Sequence, residues 1–381
     1  MLQLVPRLEQ GGVERGVLEI TEAICNAGGR ALVATAGGRL EFRIKQAGGE
    51  IVPMNAASKN PLTLWQNARL MRRLIAEQQV DIVHARSRAP AWSGYWATRA
   101  MGTPFVTTFH GTYSEDLPFK RSYNAVMARG RPVIAISEFI RGVVRERYGV
   151  PDHQIVTIPR GADISVFAEE AVGNERTIKL ANDWGLIDDA RAVVLMPARL
   201  TRWKGGLSMI DAAARLREVR GSDFLVLLVG DDNDRSFVDQ LEKHIAATDT
   251  SDVVRLTGGT QDMAAAYKLA SVVVSASIEP EAFGRVIVEA QAMSRPVIAT
   301  DHGGARETVA NGESGWLYSP GDSEALAQII HQALDMDPSE RAHMGLAGRA
   351  RVHSSYTVSA MQRATLNLYE GLVGRTFQTL L

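Results

Sequence analysis

Short apolar runs rich in β-branched residues recur along the chain, and stretches with helical spacing separate most of them. The first runs, Leu2–Val5 and Ala31–Thr35, predict strands, whereas Leu62–Gln79 predicts a helix. Strands that alternate with helices of about 10–15 residues imply parallel β-α-β units. The further predicted strands are Ile51–Val52, Asp81–His84, Pro104–Phe109, Val133–Ser137, Ile155–Ile158, Val193–Pro197, Phe224–Gly230, Val253–Thr257, Val272–Ser275 and Pro296–Thr300.

A break separates two such alternating series. Arg160-Gly-Ala-Asp163 has the composition of a turn, and residues 168–190 are polar and are predicted to be an irregular linker. We therefore assign residues 1–165 and 166–355 to two Rossmann-like, doubly wound α/β domains. Open α/β sheets bind ligands at the carboxyl ends of their strands, so two facing domains predict a deep cleft.

The composition is that of an ordinary globular protein, with 381 residues, 45% hydrophobic and 22% charged. The single cysteine, Cys25, excludes a disulfide within this chain and fits a reducing compartment. No run approaches the roughly 20 apolar residues of a membrane span. Met1–Val5 is too short and too soon followed by polar residues to be a signal peptide, so we expect a cytoplasmic protein.

The formal net charge of −1 hides an asymmetry between the two halves. Residues 1–160 contain 21 Lys or Arg and 13 Asp or Glu, so this part is near +8 and the remainder near −9. A basic half suits contact with acidic lipid at the inner face of the membrane, or with an anionic acceptor. A scattered, solvated surface explains the same count. Residues 113–131, which include Lys120, Arg121 and Arg129, are open to both interpretations.

Two carboxylates follow the predicted strand Val272–Ser275. Glu281 and Glu289 are eight positions apart and lie on either side of a Phe-Gly step at which a helix begins. A loop that leads from a strand into a helix N-terminus is a place where α/β proteins bind ligands. Two acidic groups at such a point indicate contact with hydroxyl groups rather than with phosphates.

Cations and glycines occupy other loops that follow predicted strands. Arg199 and Lys204 suit a phosphate, because lysine offers a point charge and arginine a planar fork, although two solvated cations would leave the same pattern. Gly303-Gly304 and Gly11-Gly12 would let the backbone approach a ligand or would only form turns. The N-terminal pair is not G-x-G-x-x-G, so a nicotinamide-type site is not indicated.

Two histidines end predicted strands. His110 stands beside Gly111, where an imidazole could contact a ligand or serve the structure alone, and His84 is a second candidate. The sequence has no Cys/His cluster, no H-E-x-x-H motif and no D-x-D pair at a strand end, so we expect no metal site. Asp231–Asp234 is interpreted as a loop and helix N-cap.

Taken in order, these motifs resemble glycosyltransferase family 4, whose members are retaining enzymes with the two-domain GT-B fold. Glu281–Glu289 looks like the family's E-x7-E motif, and the resemblance covers essentially the whole chain. Arg160 departs from it, replacing an asparagine common in that turn. The other matching segments are Arg199…Lys204-Gly205, Pro296–Thr300 with Gly303-Gly304 and Glu307, Gly312–Leu317, His110-Gly111, and Gly11-Gly12 with Glu14-Arg15-Gly16.

The resemblance implies transfer of a sugar from a UDP- or GDP-linked donor to a hydroxyl of a glycan or glycolipid acceptor, in cell-surface polysaccharide or lipopolysaccharide synthesis. Arg199 and Lys204 would stabilise the leaving diphosphate. Glu281 would contact the donor sugar and Glu289 the ribose. The other implied donor contacts are the backbone at Phe283 and Gly284, the base-proximal Gly258, Gly303 and Gly304, His110 near the sugar, and Gly11 and Gly12 near the diphosphate or acceptor.

The same resemblance assigns donor binding to residues 166–355 and acceptor binding to 1–165, with the C-terminal helix 356–381 packed back on the first domain. It implies no cofactor and no metal, because cations stabilise the leaving group, and we expect no nucleic-acid partner. Two alternatives stay open: a sugar-nucleotide 2-epimerase on the same fold, and a non-catalytic binding protein. The glutamate spacing together with Arg199 and Lys204 favours transfer.

Overall fold

The computed structural model describes residues 1–9, 11–231 and 234–377. The chain divides into two compact units. The first contains Met1–Pro159 together with the described part of Ser359–Leu381, and the second is Arg160–Val358. The boundaries that the sequence predicts, after residues 165 and 355, lie close to these breaks, and the roles given to the two domains stay predictions.

The first unit is built on seven short parallel strands. Their order in the sheet is β3-β2-β1-β4-β5-β6-β7, so the chain winds outward in both directions from β1. The strands are β1 Leu2–Leu4, β2 Leu32–Thr35, β3 Glu50–Pro53, β4 Val83–Ala85, β5 Phe105–Phe109, β6 Val133–Ala135 and β7 Ile155–Thr157; the helices are α1 Gly12–Asn26, α2 Glu41–Gln46, α3 Pro61–Glu77, α4 Arg88–Met101, α5 Lys120–Asn124 and α6 Glu138–Tyr148.

Local sequence explains where α3 and α4 begin and how they pack. The Asn60 side chain accepts hydrogen bonds from the first N–H groups of α3, and Pro61 occupies the first turn, where its missing N–H does no harm. Gly94 brings α4 close to the sheet, since an added Cβ would lie 2.6 Å from Leu4 Cδ1. Ser93 Oγ donates to the Leu64 carbonyl at 2.9 Å, which joins the two helices.

The C-terminal helix docks on the first unit through buried polar contacts. The Tyr369 hydroxyl lies 2.6 Å from His84 Nδ1, and His84 Nε2 lies 2.7 Å from Thr108 Oγ1. Gln362 also donates to the Glu19 carbonyl at 2.7 Å. His84 is fully buried inside β4 with both ring nitrogens engaged, so it is a structural histidine and not the ligand contact that the sequence suggested.

The second unit has a six-stranded parallel sheet of order β10-β9-β8-β11-β12-β13. Helices of this unit pack a continuous apolar core against the sheet. Its strands are β8 Ala192–Pro197, β9 Phe224–Val229, β10 Val254–Gly258, β11 Val272–Ser275, β12 Val297–Thr300 and β13 Gly315–Tyr318; its helices are α7 Asn174–Asp183, α8 Gly206–Arg220, α9 Arg235–Ala247, α10 Met263–Leu269, α11 Arg285–Ala292, α12 Ala305–Thr308, α13 Ser323–Asp335 and α14 Pro338–Ser355. The last helix, α15 Val358–Val373, belongs to the first unit from Ser359 onward.

Two sequence-based expectations about the second unit are wrong. Residues 168–190 are not irregular throughout, because they contain α7, which buries only Leu180 and Ala181 and is tied to α10 by a bidentate Arg176–Asp262 ion pair. The sixth strand, β13, was not predicted and extends the sheet beyond β12. The predicted N-cap is confirmed at Asp234, whereas Asp232 and Asn233 lie outside the described residues. No helix in the described part of the chain is long and apolar enough to cross a membrane.

Candidate active site

Three loops of the second unit meet at the carboxyl ends of adjacent strands. The loops follow β8, β11 and β12, which are neighbours in the sheet, so their ends lie side by side. Ile278 N donates to the Trp203 carbonyl at 2.8 Å, joining the first loop to the second. Gly304 N donates to the Glu281 carbonyl at 2.8 Å, joining the third loop to the second. The motifs that the sequence singled out in this half are therefore held together by main-chain bonds.

Glycine is required where these loops touch. Gly205 has φ +81°, and an added Cβ would lie 1.9 Å from the Ala276 carbonyl oxygen. Gly303 has φ +57°, and its Cβ would lie 2.3 Å from the Glu281 carbonyl oxygen. A side chain at either position would both strain the backbone and displace a neighbouring loop. Gly303 and Gly304 thus support the Glu281 segment, and their direct contact with a donor stays a prediction.

Lys204 and Glu281 form a largely buried ion pair at this junction. Lys204 Nζ lies 2.7 Å from Glu281 Oε1, and the two side chains are 14% and 17% exposed. The Ser275 and Ser277 hydroxyls also donate to Glu281 Oε1. Burial by itself would raise the pKa of Glu281, but the charge of Lys204 and these hydrogen bonds outweigh it, and the pKa lies below its ordinary value. Glu281 is therefore an ionised acceptor of hydrogen bonds near neutral pH.

Arg199 and Lys204 lie in the same loop, which follows β8 and leads into α8. Both border one small cavity with Gly206, the first residue of α8, although most of the other residues around that cavity are apolar. Lys204 Nζ also lies 4.1 Å from the centre of the Trp203 ring, with which it forms a cation–π contact. The N-terminus of α8 adds partial positive charge, since its first N–H groups have no partner within the helix. The structure thus places both predicted cations in the loop before the N-terminus of α8, and their joint contact with a phosphate stays a prediction.

Glu289 lies one turn into α11 and is 7% exposed. The fully buried Tyr267 donates its hydroxyl to Glu289 Oε2 at 3.2 Å. Gly284, with φ +87°, is the N-cap of the same helix. The Phe283 ring is buried and packs edge-on against Tyr356 at 5.7 Å, so only its main chain could meet a ligand, as predicted from the resemblance.

Gly258 ends β10, two strands away from β8 in the sheet. It has φ +72°, and an added Cβ would meet no atom within 4 Å. Its carbonyl accepts a hydrogen bond from Gly230 N at 3.1 Å, which ties it to the end of β9. The position is open, and its predicted proximity to the nucleotide base stays a prediction.

His110, Gly11 and Gly12 belong to the first unit, whereas the Lys204–Glu281 pair belongs to the second. His110 is half-buried and directly follows β5. Gly11 and Gly12 are exposed at the start of α1, and an added Cβ at Gly12 would meet nothing within 4 Å. These three residues lie at the carboxyl ends of strands β5 and β1, as expected, and their part in the reaction stays a prediction.

Several residues that shape the site were not predicted. Ser275 and Ser277 flank the end of β11, where polar side chains next to Glu281 were the available signal. Tyr267 stands in an alanine-rich helix far along the sequence from Glu289, so nothing local pointed to their contact. Among the described residues no group of three or more His, Cys, Asp or Glu could hold a metal ion, and metal independence stays a prediction.

Two doubly wound α/β units with a charged site at the strand ends of the second define a GT-B glycosyltransferase. The family model described as glycosyl transferases group 1 matches residues 182–351, and that of glycosyltransferase family 4 matches residues 10–166. The chain belongs to glycosyltransferase family 4. The fold and family inferred from the sequence are both confirmed.

Solved structures and curated relatives agree with this assignment. The chain is similar to a glycosyltransferase from Rickettsia africae, with 35% identity, a TM-score of 0.91 and 98% of each chain covered. It is also similar to Anabaena HepE, crystallised with UDP and glucose, with 25% identity, a TM-score of 0.82 and coverage of 96% and 98%. A phosphatidyl-myo-inositol mannosyltransferase of Mycolicibacterium smegmatis is 27% identical over 96% of this chain and 91% of its own.

Proposed function

We propose that the enzyme transfers a sugar, with retention of configuration, from a nucleotide-diphosphate sugar to a hydroxyl of a glycan or lipid-linked acceptor. The observation that carries this proposal is the largely buried Lys204–Glu281 pair, with Arg199 in the same loop as Lys204 ahead of α8. One part of this cluster suits a diphosphate and the other suits sugar hydroxyls. The family assignment and the UDP and glucose in the similar Anabaena structure support the same donor class.

The chemistry follows from where charge develops. When the anomeric C–O bond breaks, its electron pair passes to the diphosphate oxygen and the sugar acquires oxocarbenium character. Lys204, Arg199 and the α8 N-terminus are fixed cationic groups that stabilise the growing negative charge, as preorganised electrostatics requires. The acceptor oxygen bonds to the same face of the sugar, and its proton passes to the leaving phosphate. No step requires a metal ion.

Glu281 and Glu289 act in donor recognition rather than as an acid–base pair. Glu281 is ionised and held by Lys204, Ser275 and Ser277, so it accepts hydrogen bonds from donor hydroxyls. Glu289 accepts from the ribose hydroxyls, with Tyr267 fixing its carboxylate. Gly258 lies towards the base of the nucleotide. The main chain of Phe283 and Gly284 lies towards the sugar and the phosphate. His110 approaches the sugar from the first domain.

The acceptor side of the proposal rests on relatives and on charge. One similar enzyme is named a phosphatidyl-myo-inositol mannosyltransferase, and another, 28% identical over 80% of this chain, a D-inositol 3-phosphate glycosyltransferase. These names span lipid and soluble acceptors. We propose a lipid-linked or glycan acceptor used in cell-surface polysaccharide or lipopolysaccharide synthesis, with the enzyme acting in the cytoplasm at the inner face of the membrane. The +8 charge of residues 1–160 supports such a location.

The experiment is to incubate purified enzyme with UDP- and GDP-sugars and to follow nucleotide diphosphate release with and without lipid acceptors. We expect the release of nucleotide diphosphate to depend on the acceptor. NMR of the product should show the same anomeric configuration as the sugar in the donor. Free epimerised sugar without acceptor would instead indicate the sugar-nucleotide 2-epimerase. Binding of no sugar nucleotide at all would indicate a non-catalytic protein.

A further inference from the structure

The outward surface of α3 and α4 has an unusual combination of arginine and tryptophan. A shallow groove runs between these two helices of the first unit, and arginine and tryptophan side chains of both helices line it. Six residues make up this α3–α4 surface: Trp65, Arg69, Arg72, Arg73, Trp96 and Arg99.

The arginines of this surface are not neutralised by the protein. The two helices contain five arginines but only one carboxylate, Glu77, at the last position of α3. In the described part of the chain none of the four arginines of the α3–α4 surface pairs with a carboxylate. Arg69 instead stacks 4.1 Å above the Trp65 ring, and Arg72 lies 3.5 Å from the Trp96 carbonyl oxygen.

Arginines elsewhere in the molecule behave differently. Arg141 binds both oxygens of Asp152, Arg176 binds both oxygens of Asp262, and Arg191 binds both oxygens of Asp189. Each of these guanidinium groups is neutralised by a carboxylate that binds it through both oxygens. The α3–α4 surface differs from these pairs because four arginines without a carboxylate partner among the described residues lie together with two tryptophans on one pair of helices.

Apolar side chains share the outward stripe of α3 with these charges. Positions 62, 65, 69 and 73 follow helical spacing and lie on one face, opposite the buried residues Met71 and Ile75. Leu62 is 63% exposed and Trp65 is 48% exposed on that face. Tryptophan beside arginine is the pairing found where a helix lies at a membrane interface, because the ring sits at headgroup depth and the charge reaches the phosphates.

We propose that the α3–α4 surface docks the enzyme on a membrane that carries anionic headgroups. Charge complementarity favours this occupant, since four arginines without a carboxylate partner in the described part of the chain surround two tryptophans. The inference rests on the proposed function and deepens it, because it states which surface meets the lipid. Each arginine near such a membrane contributes roughly fivefold in affinity.

The test is co-sedimentation of the full chain with vesicles of phosphatidylcholine alone or of equimolar phosphatidylcholine and phosphatidylglycerol. The unmodified enzyme should bind the anionic vesicles and leave the neutral ones, and binding should weaken as salt rises. The triple variant Arg69→Ala/Arg72→Ala/Arg73→Ala should lose roughly a hundredfold in affinity. Trp65→Ala should weaken binding at every salt concentration.

A matched variant separates this surface from net charge. Arg43→Ala/Arg145→Ala/Arg147→Ala removes three exposed arginines from the same unit and should lose only a few-fold. Equal losses in the two triple variants, or no preference for anionic vesicles, would overturn the proposal. A concentration-dependent dimer that Trp65→Ala abolishes would also overturn it, because the occupant would then be a second copy.

An assay of sugar transfer to a soluble acceptor tests the proposed function separately from membrane docking. The α3 triple variant should retain that activity, since the residues lie outside the catalytic cluster of the second unit. If the unmodified enzyme transfers sugar but does not bind anionic vesicles, the docking surface alone is refuted. Vesicle binding without any release of nucleotide diphosphate would refute the proposed transfer alone.

Discussion

The Lys204–Glu281 pair and the α3–α4 surface use charge in opposite ways. Lys204 and Glu281 are largely buried, mutually neutralising and locked by serine hydroxyls. The arginines of the α3–α4 surface are exposed and have no carboxylate partner in the described residues. Removing one member of a buried pair leaves an uncompensated charge, whereas exposed cations act collectively and are screened by salt. We therefore expect abrupt, residue-specific effects at the pair and graded, salt-dependent effects at the surface.

The largest effect should come from Lys204→Ala. Removing a fixed cation from the leaving-group site should lower transfer roughly a thousandfold, as is typical for loss of one preorganised stabilising group. Glu281→Ala should also abolish most activity by removing donor contacts. The measurement is nucleotide diphosphate release by the purified variants, with circular dichroism to verify folding.

The control for this substitution is Lys243→Ala, which removes an exposed lysine from α9 of the same unit. Its transfer rate should match that of the unmodified enzyme. An unchanged rate in folded Lys204→Ala would contradict the phosphate role and remove the contrast between the two regions.

Gly205→Ala should have the next largest effect, on stability. Alanine at φ +81° is strained, and its Cβ would clash with the Ala276 carbonyl, so we expect a loss of about 3 kcal/mol or more in the free energy of unfolding. Gly149→Ala is the matched control, because Gly149 has φ 65° and ψ 27° with open space around it. Urea unfolding should show a smaller loss of stability in Gly149→Ala than in Gly205→Ala. Equal losses in the two variants would mean that the close packing of Gly205 against Ala276 contributes nothing to stability.

Tyr267→Phe should have a more moderate effect, on donor affinity. The hydroxyl donates to Glu289, and a hydrogen bond to a charged group is worth about 1.5–3 kcal/mol, so the KM for the donor should rise about tenfold or more. Tyr318→Phe serves as the control, since its buried hydroxyl has no hydrogen-bond partner within the described residues. A Tyr267→Phe enzyme with an unaltered donor KM would argue against Glu289 as the ribose contact.

The smallest effect should be the pH dependence of the buried pair. The pKa of Glu281 is lowered on folding from an ordinary value of 4.5, so its charge stabilises the fold fully above about pH 4.5, and the contribution is lost as pH falls through the lowered pKa. The stability advantage of the unmodified protein over Glu281→Gln should therefore shrink on acidification. An advantage that is constant from neutral to acidic pH would show that ionisation of Glu281 is not what Lys204 stabilises.

The sequence predicted the parts of the molecule that depend on regular patterns. Buried parallel strands such as Phe224–Val229 are continuous apolar runs, and amphipathic helices such as Pro61–Glu77 have clear spacing, so both were predicted. Asn174–Asp183 was missed because it is polar and buries two residues only. Gly315–Tyr318 was missed because a four-residue strand has too little pattern to stand out.

The candidate site shows the same limit. Glu281, Lys204 and Arg199 were recognisable from type and spacing, because ligand loops follow strands in this kind of sheet. The contact between Tyr267 and Glu289 joins positions 22 residues apart on separate helices, so it required the fold. The charge count of the first half likewise indicated a basic surface but could not place it on α3 and α4.

The most direct test is a crystal structure of the enzyme soaked with UDP- and GDP-sugars. The account predicts the diphosphate within hydrogen-bond distance of Arg199 and Lys204, the ribose on Glu289 and the sugar hydroxyls on Glu281. A nucleotide bound elsewhere, with the Lys204–Glu281 pair untouched and the ribose away from Glu289, would contradict it.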